Sequence, residues 1–141
     1  MPRTRRLPAM ILALVLPLLV LVGAAPAAAA APTLKIKSVT LVAKGAGVRL
    51  DFVVTCDEGS YADLRGTITQ AAGNRIANGS VPEWRLWDCT GQSQPLSVLI
   101  PADVAGAPFH TGEALLLMVV YACPGANCEE VRAEQVVRIV R

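Results

Sequence analysis

After residue 33 the chain alternates apolar and polar positions with a period of two over much of its length. Val48, Leu50, Phe52, Val54 and Cys56 take one side of a stretch whose other side is Arg49, Asp51, Val53 and Thr55. That is the pattern of a half-buried β-strand. Leu96, Val98 and Ile100 alternate with Ser97 and Leu99 in the same way. The full reading predicts strands over Leu34 to Ala43, Val48 to Cys56, Tyr61 to Gln70, Arg75 to Val81, Trp84 to Asp88, Pro95 to Ile100, Glu113 to Cys123 and Glu129 to Val140. Turn chemistry separates them at Lys44-Gly45-Ala46-Gly47, Asp57-Glu58-Gly59-Ser60, Ala71-Ala72-Gly73-Asn74 and Cys89-Thr90-Gly91-Gln92.

The segment Ala114 to Ala122 is apolar at nearly every position, as expected for a central strand covered on both faces. In EEVRAEQVVRIV a helix competes, because Val136 and Val140 lie four apart, but the valine and isoleucine content favours a strand. Seven to eight short strands at this spacing predict an all-β chain, a two-sheet antiparallel sandwich with Greek-key connections. Pro101 to Gly112, rich in Ala, Gly and Pro, is the longest irregular stretch and is expected to cross from one sheet to the other.

The opening residues follow a different rule. A basic start (Arg3, Arg5, Arg6) leads into an apolar run from Leu7 to Val22 and then an alanine tract. This predicts a secretory signal peptide over residues 1–30, cleaved after Ala30, followed by one domain over 31–141. Pro17 and Pro26 interrupt the apolar character that a membrane anchor would need, so no membrane association is expected once the signal is removed. The expected location is secreted, either extracellular or held at the cell wall.

Removing the segment also changes the charge. The whole chain has 13 basic and 11 acidic side chains, and three of the arginines leave with the signal, so 10 − 11 gives −1. A domain of that charge has no electrostatic footprint for nucleic acid.

Four cysteines, Cys56, Cys89, Cys123 and Cys128, lie in the exported part. An even number in a short exported chain predicts two disulfides. Zinc would favour paired C-x-x-C knuckles, and a redox motif would place C-x-x-C at a helix start, whereas Pro124-Gly125-Ala126-Asn127 is a turn. If the strands ending at Cys56 and starting after Cys89 are antiparallel neighbours, those two cysteines meet, and Cys123 with Cys128 clips the last hairpin. Cys56 with Cys123 and Cys89 with Cys128 is the other pairing the strand ends permit.

With its export signal, Thr55-Cys56, Cys89-Thr90-Gly91 and the late C-x4-C, the chain resembles the short secreted immunoglobulin-like proteins of actinobacteria. The resemblance implies an immunoglobulin-like sandwich and is silent about activity. Locally, Cys123 to Val140 and the Ala31-Pro32-Thr33 start are similar to neocarzinostatin-type apoproteins, which carry a chromophore in a cleft of such a sandwich.

No catalytic residue, cofactor or metal site is expected. His110 is the sole histidine and reads as a solvated loop residue, with no nucleophile motif beside it. Asn78-Gly79-Ser80 fits a glycosylation sequon and reads as a turn. Trp87 shares a face with Cys89 and is expected in the core. Trp84, on the opposite face, is expected at an edge or as a stacking platform for a sugar or peptide.

The strand order brings Asp57, Glu58, Asp88, Glu129 and Glu130 to the end that holds the cysteines. An acidic end attracts a basic partner surface or a weakly held calcium ion. The leading expectation is therefore a non-enzymatic binding or interaction module acting through these residues or Trp84, its partner a protein, a glycan or a small molecule. A small-molecule carrier would line a cleft between sheets with Leu115, Leu117 or Val119. A proteinase inhibitor would present Pro124-Gly125-Ala126-Asn127 as a rigid exposed loop.

Overall fold

The computed structural model describes residues 31–82 and 85–141. The predicted signal peptide and Trp84 lie outside the described residues. Eight strands follow in order: β1 Thr33–Val42, β2 Gly47–Thr55, β3 Tyr61–Ala72, β4 Arg75–Ser80, β5 Arg85–Asp88, β6 Gln94–Pro101, β7 Gly112–Cys123 and β8 Glu129–Val140. Each corresponds to a predicted strand, with ends that coincide or differ by at most two residues.

The strands hydrogen-bond into one curled sheet in the order β4-β3-β7-β8-β1-β2-β6, with β5 pairing β3 beyond the end of β4. All neighbours are antiparallel except β1 and β8, which pair in parallel at Val39 with Ile139 and Thr40 with Val140. A bulge between Ile36 and Ser38 twists β1, so that it stays paired to β2 along its length and reaches β8 only at its end.

The two ends of the sheet then approach each other. Gly79 of β4 bridges Ala102, and the amides of Asp103 and Ala107 donate to the carbonyls of Asn78 and Ile76 at 2.7 and 3.0 Å. A Cβ at Gly79 would collide with the Pro101 carbonyl oxygen, so this closure needs glycine. Asn78-Gly79-Ser80, expected as a turn, is thus the end of β4, held there by the closing contact.

Alternate positions fill the interior: Val48, Leu50, Phe52 and Val54 from β2, Leu64 and Ile68 from β3, and Leu116, Met118 and Val120 from β7. Each such aliphatic side chain contributes about 1.5–3 kcal/mol by leaving water. Phe109, from the long loop before β7, is buried among them.

One expectation is corrected here. β7 is covered on its inner face alone, since among the described residues no further layer packs outside it, and Leu115 is 48% exposed.

Gln70 is one of three buried polar residues among those described, with Ser60 and Asp63, and is 2% exposed on β3. Its Nε2 donates to the carbonyls of His110 and Glu113 at 2.9 and 3.2 Å, and its Oε1 accepts from the His110 amide at 2.9 Å. A single side chain therefore fastens the loop that carries Phe109 to the sheet.

Candidate functional site

Strand register assembles the end of the molecule that carries the cysteines. β2 and β6 are antiparallel, with Val54 opposite Gln94, so the chain leaving β2 and the chain entering β6 lie side by side. Cys56 and Cys89 are bonded there, their Cα atoms 5.4 Å apart. The amides of Gly59, Cys89 and Gly91 donate to the carbonyls of Cys89, Ser60 and Cys56 at 3.2, 2.8 and 3.2 Å, which stitches the two loops together. Cys123 and Cys128 are bonded across the β7–β8 turn. Tyr61 lies in register between Asp88 of β5 and Cys123 of β7, so both bridges belong to one end.

Asp57, Glu58, Asp88, Glu129 and Glu130 gather at this end, Asp57 half-buried and the others exposed. The connecting segments 56–60, 88–93 and 123–130 contain no Lys or Arg. Arg132 on β8 approaches Glu130 at 3.0 Å, an exposed pair of small energetic consequence. The other carboxylates form no ion pair among the described residues. No group of three His, Cys, Asp or Glu side chains converges among those residues, so a calcium ion would lack the oxygen cage it needs. A hollow of about 10 Å³ opens between Pro32, Cys56, Asp57, Ser60, Ala122, Pro124 and Glu129. It has the volume of one water molecule, too small for an organic ligand.

Tyr61 is the residue that sequence reasoning missed. It is 46% exposed at the end that carries the carboxylates, in register with Asp88. The signal was present, since it opens β3 on the face away from the core, where a large aromatic ring has no packing reason to stand. Asp63 and Arg65 continue that face along β3. Asp63 is 7% exposed, with Oδ2 3.4 Å from Arg65 Nε and Oδ1 without a hydrogen-bond partner among the described residues. The Arg65 guanidinium sits 5.5 Å from the centre of the Tyr121 ring, within cation–π range.

Other predicted residues fall elsewhere. Trp87 packs against the core, and its indole N–H has no partner among the described residues. His110 is exposed, and its two ring nitrogens face the carbonyls of Thr111 and Ala71 at 2.9 and 3.0 Å. Leu115, Leu117 and Val119 stand on the outward face of β7 rather than between sheets. Pro124 to Asn127 is exposed at the tip of the clipped turn.

On the outer side of β2, the hydroxyls of Ser97 and Ser38 donate to Asp51, the latter at 2.8 Å, and hold its carboxyl below the ordinary range, with a smaller pull from Arg49. A carboxyl depressed by folding stabilises the protein above its unfolded pKa of about 3.9, and that contribution is lost as pH falls through the folded value. Asp51→Asn is therefore expected to lose less stability than the parent on acidification below about pH 4. Urea midpoints across that range check this, and identical slopes would remove Asp51 from the account.

No family model matches the sequence, and no curated protein matches it. Among solved structures, the fold shows a distant likeness to the solution structure of a candidate late embryogenesis abundant protein, with a TM-score of 0.41 and 12% identity over 77% of this chain and 71% of that one. It shows another to an alkylpurine DNA glycosylase of Pseudomonas fluorescens bound to abasic-site DNA, with a TM-score of 0.37 and 10% identity over 77% of this chain and 30% of that one. Scores this low carry no inference about function.

Proposed function

We propose that this chain is an exported, non-enzymatic interaction module of immunoglobulin-like build that meets a basic partner surface through its acidic, disulfide-stapled end. The observation that carries the proposal is Tyr61, 46% exposed at the same end of the sheet as Asp57, Glu58, Asp88, Glu129 and Glu130, where segments 56–60, 88–93 and 123–130 contain no Lys or Arg. An exposed aromatic side chain that can be desolvated, at an end bearing charge of one sign, has the composition of a recognition surface. The disulfides and the stitched loops hold the surface in one shape before contact, which lowers the entropy cost of binding. Two disulfides suit the oxidising compartment that export implies.

The test is a photo-crosslinking phenylalanine analogue placed at Tyr61 in the cells that produce the protein, with the same analogue at Val104, fully exposed on the long loop, as the control. A discrete crosslinked partner is expected at Tyr61 and not at Val104. It should disappear in high salt and in the combined Asp57→Asn, Glu58→Gln, Glu129→Gln variant. Crosslinking no greater than at Val104, or unchanged in that variant, sinks the proposal.

A further inference from the structure

The end of the molecule away from the cysteines carries the reverse charge. The turn Ala43–Gly45 between β1 and β2, the start of β4 and the end of β8 bring Lys44, Arg75 and Arg141 there. Arg75 donates to the carbonyl of Gly106 at 2.7 Å, and Asp103, the one acid of the long loop, accepts from the Ala105 amide at 3.0 Å. Lys44 and Arg141 instead line a hollow of about 390 Å³, with Leu41, Phe109, His110 and Thr111 as the rest of its wall. No Asp or Glu lines it among the described residues.

The backbone holds these walls in place. The Gly45 carbonyl accepts from the Phe109 amide at 2.9 Å and the Ala43 carbonyl from the Ala46 amide at 3.2 Å, which fixes the turn against the loop. Gln70 fastens the same loop through His110. Both ring nitrogens of His110 are turned to carbonyl oxygens, so this residue serves as wall rather than as a donor to the hollow. The turn also holds Ala43 at φ 47° and Lys44 at φ 55°, a left-handed backbone that residues other than glycine adopt at a cost. Strain of this kind gathers where a side chain is clamped for a ligand. Glycine would suit the turn better, yet the sequence places a lysine there, on a hollow with no acid to pair it.

We propose that this hollow binds a small molecule carrying an oxyanion, a carboxylate or a phosphate, on an apolar body. Arg141 offers a planar fork of donors, Lys44 a point charge and Thr111 a hydroxyl, a set that suits oxyanion recognition. Leu41 is half-buried and gives the apolar body a surface to cover. A volume near 390 Å³ lies within the range of small-molecule sites, about 300–1,000 Å³, unlike the one-water hollow at the cysteine end. The site stands at the opposite end of the strands from Tyr61, so it is independent of the acidic surface.

The experiment is a titration of the isotope-labelled, disulfide-bonded protein with phenyl phosphate, benzoate and uncharged benzyl alcohol, followed by amide chemical shifts. Each ligand is taken to about 20 mM at low ionic strength, a range suited to a millimolar Kd. Saturable shifts are expected in residues 41–46 and 109–112 with phenyl phosphate, benzoate or both, and the tighter of the two names the group. Benzyl alcohol should leave those residues unchanged. Lys44→Gln and Arg141→Gln should each weaken binding at least about fivefold. Lys35→Gln, at an exposed lysine toward the other end of β1, should change nothing. Lys44→Gly removes the same charge and relieves the left-handed strain, so it should weaken binding with a thermal midpoint no lower than the parent's. Shifts that do not saturate, an equal response to benzyl alcohol, affinity unchanged in Lys44→Gln and Arg141→Gln, or a loss in Lys35→Gln as large as theirs would each overturn the proposal.

Discussion

Replacing Cys56 and Cys89 together by alanine is expected to lower stability by about 4 kcal/mol, and the corresponding change at Cys123 and Cys128 by about 2 kcal/mol. The difference comes from the chain each bridge closes. Cys56 and Cys89 are 33 positions apart, Cys123 and Cys128 five, so the first bridge removes far more freedom from the unfolded chain. Packing pushes the same way. Cys56 and Cys89 are each 3% exposed, so their loss leaves a void in the core, whereas Cys128 is on the surface. The longer bridge also joins the loops that present Asp57, Glu58 and Asp88, and the hydrogen bonds from Gly59, Cys89 and Gly91 depend on it. Removing it should therefore weaken any contact made through Tyr61 even where the domain still folds. Denaturant unfolding of the two double variants checks the ordering. Equal losses would mean that the unfolded chain already holds Cys56 near Cys89, or that strand pairing between β2 and β6 alone carries that end.

The pairing of the cysteines was legible because it depends on two local facts. The alternation from Val48 to Val54 delivers Cys56 to a strand end, and the turn residues between Cys123 and Cys128 favour a clip, although the strand ends alone also permitted Cys56 with Cys123 and Cys89 with Cys128. The gathering of Asp57, Glu58, Asp88, Glu129 and Glu130 follows from that strand order and was legible with it.

What could not be read depends on approaches between distant segments. One continuous sheet, where two were expected, arises because the β1 bulge lets a single strand serve both β2 and β8, and because Gly79 lets β4 meet the chain after β6. Nothing near Asn78-Gly79-Ser80 signals that contact, and taken alone the tripeptide is good turn chemistry. In β7 the apolar residues on both faces were read as cover on both sides. Composition does not distinguish a strand buried on both faces from a strand whose apolar outer face stays partly exposed. Tyr61 illustrates the same limit, because its place in the alternation shows which face it occupies but not that it shares its end of the sheet with five carboxylates.

The second large effect lies at the opposite end of the molecule. Gln70→Leu keeps nearly the same volume and apolar contact on β3, yet it is expected to cost about 3 kcal/mol, because one part-buried donor and two part-buried acceptors of the backbone lose their partner together. The three groups, the amide and carbonyl of His110 and the carbonyl of Glu113, lie where the long loop turns into β7. Phe109, 2% exposed, precedes them directly, and its own amide donates to Gly45 at 2.9 Å. Freed from Gln70, the loop can satisfy its backbone only by admitting water, which would draw Phe109 out of the core and loosen the Gly79 closure beside it. Amide exchange should therefore rise across residues 101–112 and in β4 before it rises in β2 or β8.

His110→Ala is the informative contrast, since Gln70 binds its backbone and not its ring. The ring is exposed and meets two carbonyls that water can serve as well, so the loss should stay below about 1 kcal/mol. A small effect from Gln70→Leu with a large one from His110→Ala would reverse the assignment and make the imidazole, rather than the buried amide, the fastening of the loop.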